Sequence, residues 1–171
     1  MTTSISDVTD AAVALAPDHP TWALRRRREK VVAATQGSYD AMFSPAVEGL
    51  TVPERLLVAL RACRVSKAHS LAAHFRDRLV AEGADSTLIA GVDAGRPAGD
   101  ARLQAALAFA GQLIERPLEA DRDALQALAD SGLSTPAIVA MSQLIAFLSY
   151  QIRVTAGLQA LAAVAGVEAS A

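Results

Sequence analysis

Apolar residues recur along most of this 171-residue chain at intervals of three and four, the spacing of one buried face of an α-helix. Alternation of the strand type never extends beyond a few residues. The clearest helical stretch runs from Thr51 to Leu79. Leu56, Leu60 and Cys63 share one face, a break is expected near 64–66, and a second helix follows that carries Ser70 and His74 one turn apart. Thr51-Val-Pro-Glu54 reads as a capping box, in which the threonine hydroxyl and the glutamate carboxylate satisfy each other's backbone amides. Gly83 is the expected stop of the second helix.

The same punctuation divides the rest of the chain. A short helix is expected over 5–15, ended by Pro17 and Pro20, and another over 21–43, bent or divided at Gly37. Residues 86–93 form a short helix capped by Asp85 or Ser86, and 93–100 a Gly- and Pro-rich loop. Leu103, Leu107, Ala110 and Ile114 mark a helix that ends before Pro117. An acidic start at 119–123 suits the positive end of the next helix dipole, which Gly132 stops. Ser134-Thr-Pro136 opens the last and longest helix, and 166–171 are expected to fray. The fold class that follows is all-α, with about seven or eight helices, in a single domain over 1–171 with 1–20 a peripheral segment.

Composition supports this reading. The chain is 52% hydrophobic but only 4% aromatic, so its apolar mass is Ala, Leu and Val, which favours helices. A net charge of −2 argues against nucleic acid as a partner. The basic block Arg25–Arg28 is read as a solvated helix face, with Trp22, Val31 and Val32 as its apolar stripe. A single cysteine excludes an internal disulfide and suits a reducing compartment. No signal peptide is visible in MTTSISDVTD. The low-charge run 134–167 holds one charge, Arg153, and is interrupted by Ser142, Gln143, Ser149, Gln151 and Gln159. A buried or interfacial helix is expected there rather than a membrane span. The expectations are a cytoplasmic protein with no cofactor and no membrane or nucleic-acid partner.

Few side chains can carry chemistry. His74 is either a general acid/base, since an imidazole titrates near neutrality, or a buried histidine bonded to a neighbouring helix. His69 lies five residues earlier, on another face, so the two do not form a metal pair. His19 sits in a Pro-flanked loop with no evident role. Cys63 is either a reactive thiol or a small core residue. Arg153 in its apolar helix requires a partner. Glu48, Asp40 and Glu54 are the candidate carboxylates, and the alternative is a clamp for an anionic substrate. Tyr39 and Tyr150 either line a pocket or sit at the protein boundary.

Leu71-Ala-Ala-His74, and the later run ALAFAGQLIERPLEADRDALQALADSGLSTPAIVAMSQLIAFLSYQIRV, together resemble the AhpD-like (carboxymuconolactone decarboxylase, CMD) superfamily over about Leu50 to Leu161. SYDAMF before GLTVPERL resembles its cysteine-less, peroxidase-related CMD-domain branch. Peroxidase members of that superfamily carry Cys-x-x-Cys-x-x-x-His, where one thiolate attacks the peroxide, the other resolves it, and a Glu and the His relay the proton. Counted back from His74, those cysteine positions hold Lys67 and Ser70, so the thiol cycle has no reactants here. The position of the family's relay glutamate falls on Arg55, with Leu56 as the competing register. Glu54 is the nearest acid.

The resemblance implies a homo-oligomer (dimer, trimer or hexamer) and three functional readings. One is a peroxidase-related protein without the redox pair, with a small-molecule acid/base site at His74, Ser70, Glu54 and Cys63. Another is a CMD-type lyase or isomerase acting on a small carboxylated lactone, with Arg153 binding its carboxylate; His69 and Tyr150 are further candidate substrate-binding residues. The third is a non-catalytic oligomeric partner protein.

Overall fold

The computed structural model describes residues 7–168, for the last three of which only the backbone is described. Nine α-helices and one 3-10 turn account for the order among these residues, and none of them is in a strand. The helices are α1 (Val8–Val13), α2 (Pro20–Arg26), α3 (Glu29–Met42), α4 (Val52–Val65), α5 (His69–Ala81), α6 (Ser86–Asp93), α7 (Ala101–Glu115), α8 (Arg122–Asp130) and α9 (Thr135–Glu168).

Helix α4 is the centre of the fold, packed against α5, α6, α7 and α9. Its apolar pattern explains why: Leu56, Val58, Ala59, Leu60, Ala62 and Cys63 are all sealed from solvent. At roughly 1.5–3 kcal/mol for each large apolar side chain taken out of water, this one helix supplies a major share of the driving force. Its start is the capping box read from the sequence. The Glu54 amide donates to Thr51 Oγ1 at 3.3 Å, and the Thr51 amide donates to Glu54 Oε2 at 2.7 Å. Pro53 sits in the first turn, where no helical hydrogen bond is lost.

The turn from α4 to α5 is tight. Lys67 adopts a left-handed φ of 57°. The Ala68 amide donates to the Cys63 carbonyl at 2.8 Å, and that of Lys67 to Arg64 at 3.1 Å. The turn closes α4 as a Schellman-type cap and sends α5 back antiparallel to it. A left-handed conformation at a residue with a Cβ costs on the order of 1 kcal/mol, so long-range contacts hold the hairpin together. Asp93, at the end of α6, supplies one clamp by pairing with both Arg64 of α4 and Arg76 of α5.

Helix α9 packs on α4. Its beginning packs on Gly49, where an added Cβ would stand 2.5 Å from the Ala137 Cβ and where φ is +87°. Glycine is required there on both counts. Further along, the Gln159 side chain reaches Ser70 at the start of α5. Among the described residues α9 alone is long and apolar enough to cross a bilayer by length and composition, and a third of that stretch is buried in the protein.

Three boundaries differ from the sequence reading. The helix expected over 21–43 is divided at Arg27–Arg28 rather than at Gly37, which lies inside α3 with open space around it. Different long-range contacts align the two pieces. Arg25 and Arg26 tie α2 to Asp7 and Asp10 of α1, whereas Thr35 and Tyr39 tie α3 to α9 and α5. The bend falls between these two sets. At the chain's end the backbone remains helical through Glu168, inside the stretch expected to fray, and 169–171 lie outside the described residues. At the other end, α1 starts at Val8 and packs on α9 and α5, while 5 and 6 of the expected first helix also lie outside.

Candidate functional site

The hydroxyl of Tyr39, on α3, joins two side chains of α5. It lies 2.7 Å from His74 Nε2 and accepts a hydrogen bond from Arg78 Nη1 at 2.7 Å. His74 and Arg78 are four residues apart on α5, so helical spacing presents both to the same partner. Phe43 and Phe75 complete the nest. The Tyr39 ring contacts both, Phe75 meets the His74 ring edge-on, and the Arg78 guanidinium lies over the Tyr39 and Phe43 rings.

Donor accounting assigns the protons. A guanidinium only donates, so the Tyr39 oxygen accepts from Arg78. The phenolic proton is then available to His74 Nε2, which leaves Nδ1 as the protonated ring nitrogen. Both partners are neutral near pH 7. Burial, and then the positive charge of Arg78, push His74 below its usual value, against a weaker opposing pull from Asp77. Burial raises Tyr39, and Arg78 only partly offsets it. Chemically the arrangement can donate a proton from Nδ1 while Nε2 takes the phenolic proton, with Arg78 placed against the charge that develops on the oxygen.

Arg55 closes the far side. It is 1% exposed, and its guanidinium donates to the carbonyls of Met42 and Ser44 at 2.5 and 2.7 Å. Burial and the charge of Arg78 both lower its pKa. A cation therefore stands where the superfamily's relay glutamate would be counted. Glu54 points elsewhere: it caps α4 and pairs with Arg102 of α7, which also reaches the Gly49 carbonyl. These contacts do not bring it to His74.

The other sequence-predicted residues scatter. Cys63 is sealed in the core, and burial pushes its thiol up to about 12, so it is protonated and inert near neutrality. Ser70 accepts from Gln159 Nε2 at 3.1 Å. His69 is exposed at the first turn of α5. Tyr150 is exposed on α9 and bonds Thr35 at 3.1 Å. Arg153 corrects the sequence reading most clearly. It is exposed rather than buried, and it donates to the Ser149 carbonyl at 3.1 Å. Among the described residues it meets none of Glu48, Asp40 or Glu54. Its position lies about 200° around α9 from Gln151 and Thr155, so it does not share the face that reaches Ser70. An apolar helix that is buried on one side only can carry a charge on the other at no desolvation cost, which removes the premise for a partner.

Three residues escaped the sequence reading. Arg78 was unremarkable in a charged helix, although its spacing from His74 was visible. Gln151 read only as an interruption of an apolar run, and Thr155 did not stand out at all. Both are almost fully buried, and no protein group meets the Gln151 amide or the Thr155 hydroxyl. They precede Gln159 by eight and four residues on one face of α9. His74 follows Ser70 by one turn on α5, and α1 packs on both α5 and α9.

Compared with known proteins, the chain matches no family model and no curated sequence.

Proposed function

We propose that this chain is an AhpD-like, peroxidase-related helical protein that has lost thiol redox chemistry and uses His74 as an acid/base group toward a small molecule. The observation that carries the reading is the Tyr39 hydroxyl, bonded at once to Arg78 and to His74. A half-buried imidazole needs a hydrogen-bond partner in any role; here the partner is a hydroxyl that is itself held by a cation. Support also comes from the polar atoms of Gln151 and Thr155, buried without protein partners eight and four residues before Gln159, which bonds Ser70. Unmet polar atoms of this kind cost about 1–3 kcal/mol each, a cost that a polar ligand or ordered water would relieve. In this role His74 donates from Nδ1 to a developing oxyanion and is recharged from Tyr39, with Arg78 stabilising the phenolate. The inert thiol of Cys63 supports the loss of redox function.

Two assays test the proposal. Dithiol-dependent consumption of an organic hydroperoxide is expected to be no faster than with Cys63→Ala; robust turnover that disappears in that variant overturns the redox part. Small lactone carboxylates, titrated while the His74 ring resonances are followed by NMR, are expected to bind at least tenfold more weakly to His74→Gln and Tyr39→Phe. Unchanged binding takes His74 out of the site.

A second reading, the non-catalytic oligomeric partner protein, draws on the outer surface of α9. Val139, Leu161 and Val164 are about half exposed there, more apolar surface than a solvated helix needs. Light scattering gives the mass in solution, and a homo-oligomer with no detectable ligand at His74 would favour this reading over the first.

A further inference from the structure

The bend that separates α2 from α3 opens a groove against α9. Its volume is about 400 Å³, within the range of small-molecule sites. The walls are Leu24, Val31 and Val32 on one side and Val154 and Leu158 on the other, with the Thr35 and Tyr150 hydroxyls bonded to each other at the floor. Arg25, Arg27 and Arg28 also line the groove, and they are not equivalent. Arg25 is neutralised by Asp7 and Asp10. Arg27 and Arg28 line the groove, are exposed, and meet no carboxylate among the described residues.

We infer that this groove binds a free single-chain amphiphilic anion, a medium-chain carboxylate being the simplest case. The apolar walls take the chain, and the two unpaired guanidiniums take the head, for which their planar donor fork is suited. One observation selects this occupant over other apolar matter. The uncompensated charge is positive and gathered at one edge, in a protein whose net charge is −2. The inference is independent of His74, which lies on a different helix and lines no part of this groove. It also gives a role to the arginine block, which the sequence alone presents as a solvated face.

Calorimetric titration of the full chain with decanoate, below its micelle concentration, tests it. The expected result is saturable binding of one molecule per chain. Affinity should fall at least tenfold with acetate or with decyltrimethylammonium, and at least tenfold in the double variant Arg27→Glu, Arg28→Glu. Both sites are exposed and unpaired, so this variant should keep wild-type helicity by circular dichroism. Val31→Asp, half exposed on the wall, should weaken decanoate binding without altering the oligomeric mass. Several results would overturn the inference: no saturable binding, equal affinity for the cationic amphiphile, or full affinity in the double arginine variant. So would a dimer by light scattering whose dissociation is needed before decanoate binds, since a second copy would then be the occupant. Binding to phosphatidylglycerol vesicles without saturable decanoate binding would likewise replace the free amphiphile with a membrane surface.

Discussion

Cys63 and His74 lie on the two arms of one helical hairpin, and the fold treats them in opposite ways. The cysteine faces the shared core of α4, where every neighbouring position on its stripe is sealed and burial holds the thiol protonated. The histidine faces outward across α5 to α3, only partly covered, and meets a hydroxyl that is itself held by an arginine. Residue type alone would have ranked the thiol as the more reactive of the two. Burial without a charged or polar partner silences a nucleophile, whereas burial beside a hydroxyl held by a cation keeps an imidazole neutral and hydrogen-bonded.

That contrast can be broken or sharpened in order of expected effect. Phe75 carries the ring stack on the His74 side. Phe75→Ala should lower unfolding stability by about 3–5 kcal/mol in urea titrations, and a loss under 1 kcal/mol would mean that the stack is loosely packed. Tyr39→Phe removes the hydroxyl but keeps the ring, leaving His74 and Arg78 without their common partner. A cost of about 1–3 kcal/mol is expected, and an unchanged denaturation midpoint would show that the network contributes nothing to the fold. Thr51→Ala should cost about 1 kcal/mol through the lost cap, with Ser in its place restoring most of it.

The contrast also has a chemical readout. Cys63 should resist a thiol-specific reagent in the native protein and react promptly in denaturant. Rapid native labelling at neutral pH would contradict its burial. The smallest expected effect is the pH dependence attributable to His74. Its folded pKa lies below the unfolded value of about 6.5, so the unfolded chain binds the extra proton first. Its contribution is therefore fully present above about pH 6.5 and is lost as pH falls from there through the folded value. Thermal unfolding of wild type and His74→Gln between pH 7.5 and pH 5 should show a shallower decline in the variant. Parallel curves would show that His74 ionises normally.

Much of the fold was legible because helical signals are local. The capping box at Thr51, the glycine stop at Gly83, the cap at Asp85 (one of two candidates) and the proline in the first turn of α9 each act within a few residues, and each is found where the pattern put it. Gly37 misled because a glycine only weakens a helix by about 1 kcal/mol, and the contacts that bent the chain at Arg27–Arg28 come from residues far away in sequence. The site was half legible. His74 stood out by its surroundings, but its partner Tyr39 is 35 residues distant and on another helix. Glu54 seemed available to it only until the cap and Arg102 claimed both carboxylate oxygens.

The sequence by itself settled that the chain is helical, where most helices start and stop, and that no pair of thiols can form. These depend on periodicity, capping and composition, which are properties of neighbours along the chain. Tertiary structure alone decided which polar side chains are sealed, which are paired and which face a groove. It made Arg55 a buried cation, left Arg153 in solvent and set Gln151 and Thr155 in the interior. Those outcomes depend on how helices distant in sequence meet, and the free energy of a charge or an unmet hydrogen bond is fixed by the environment formed there.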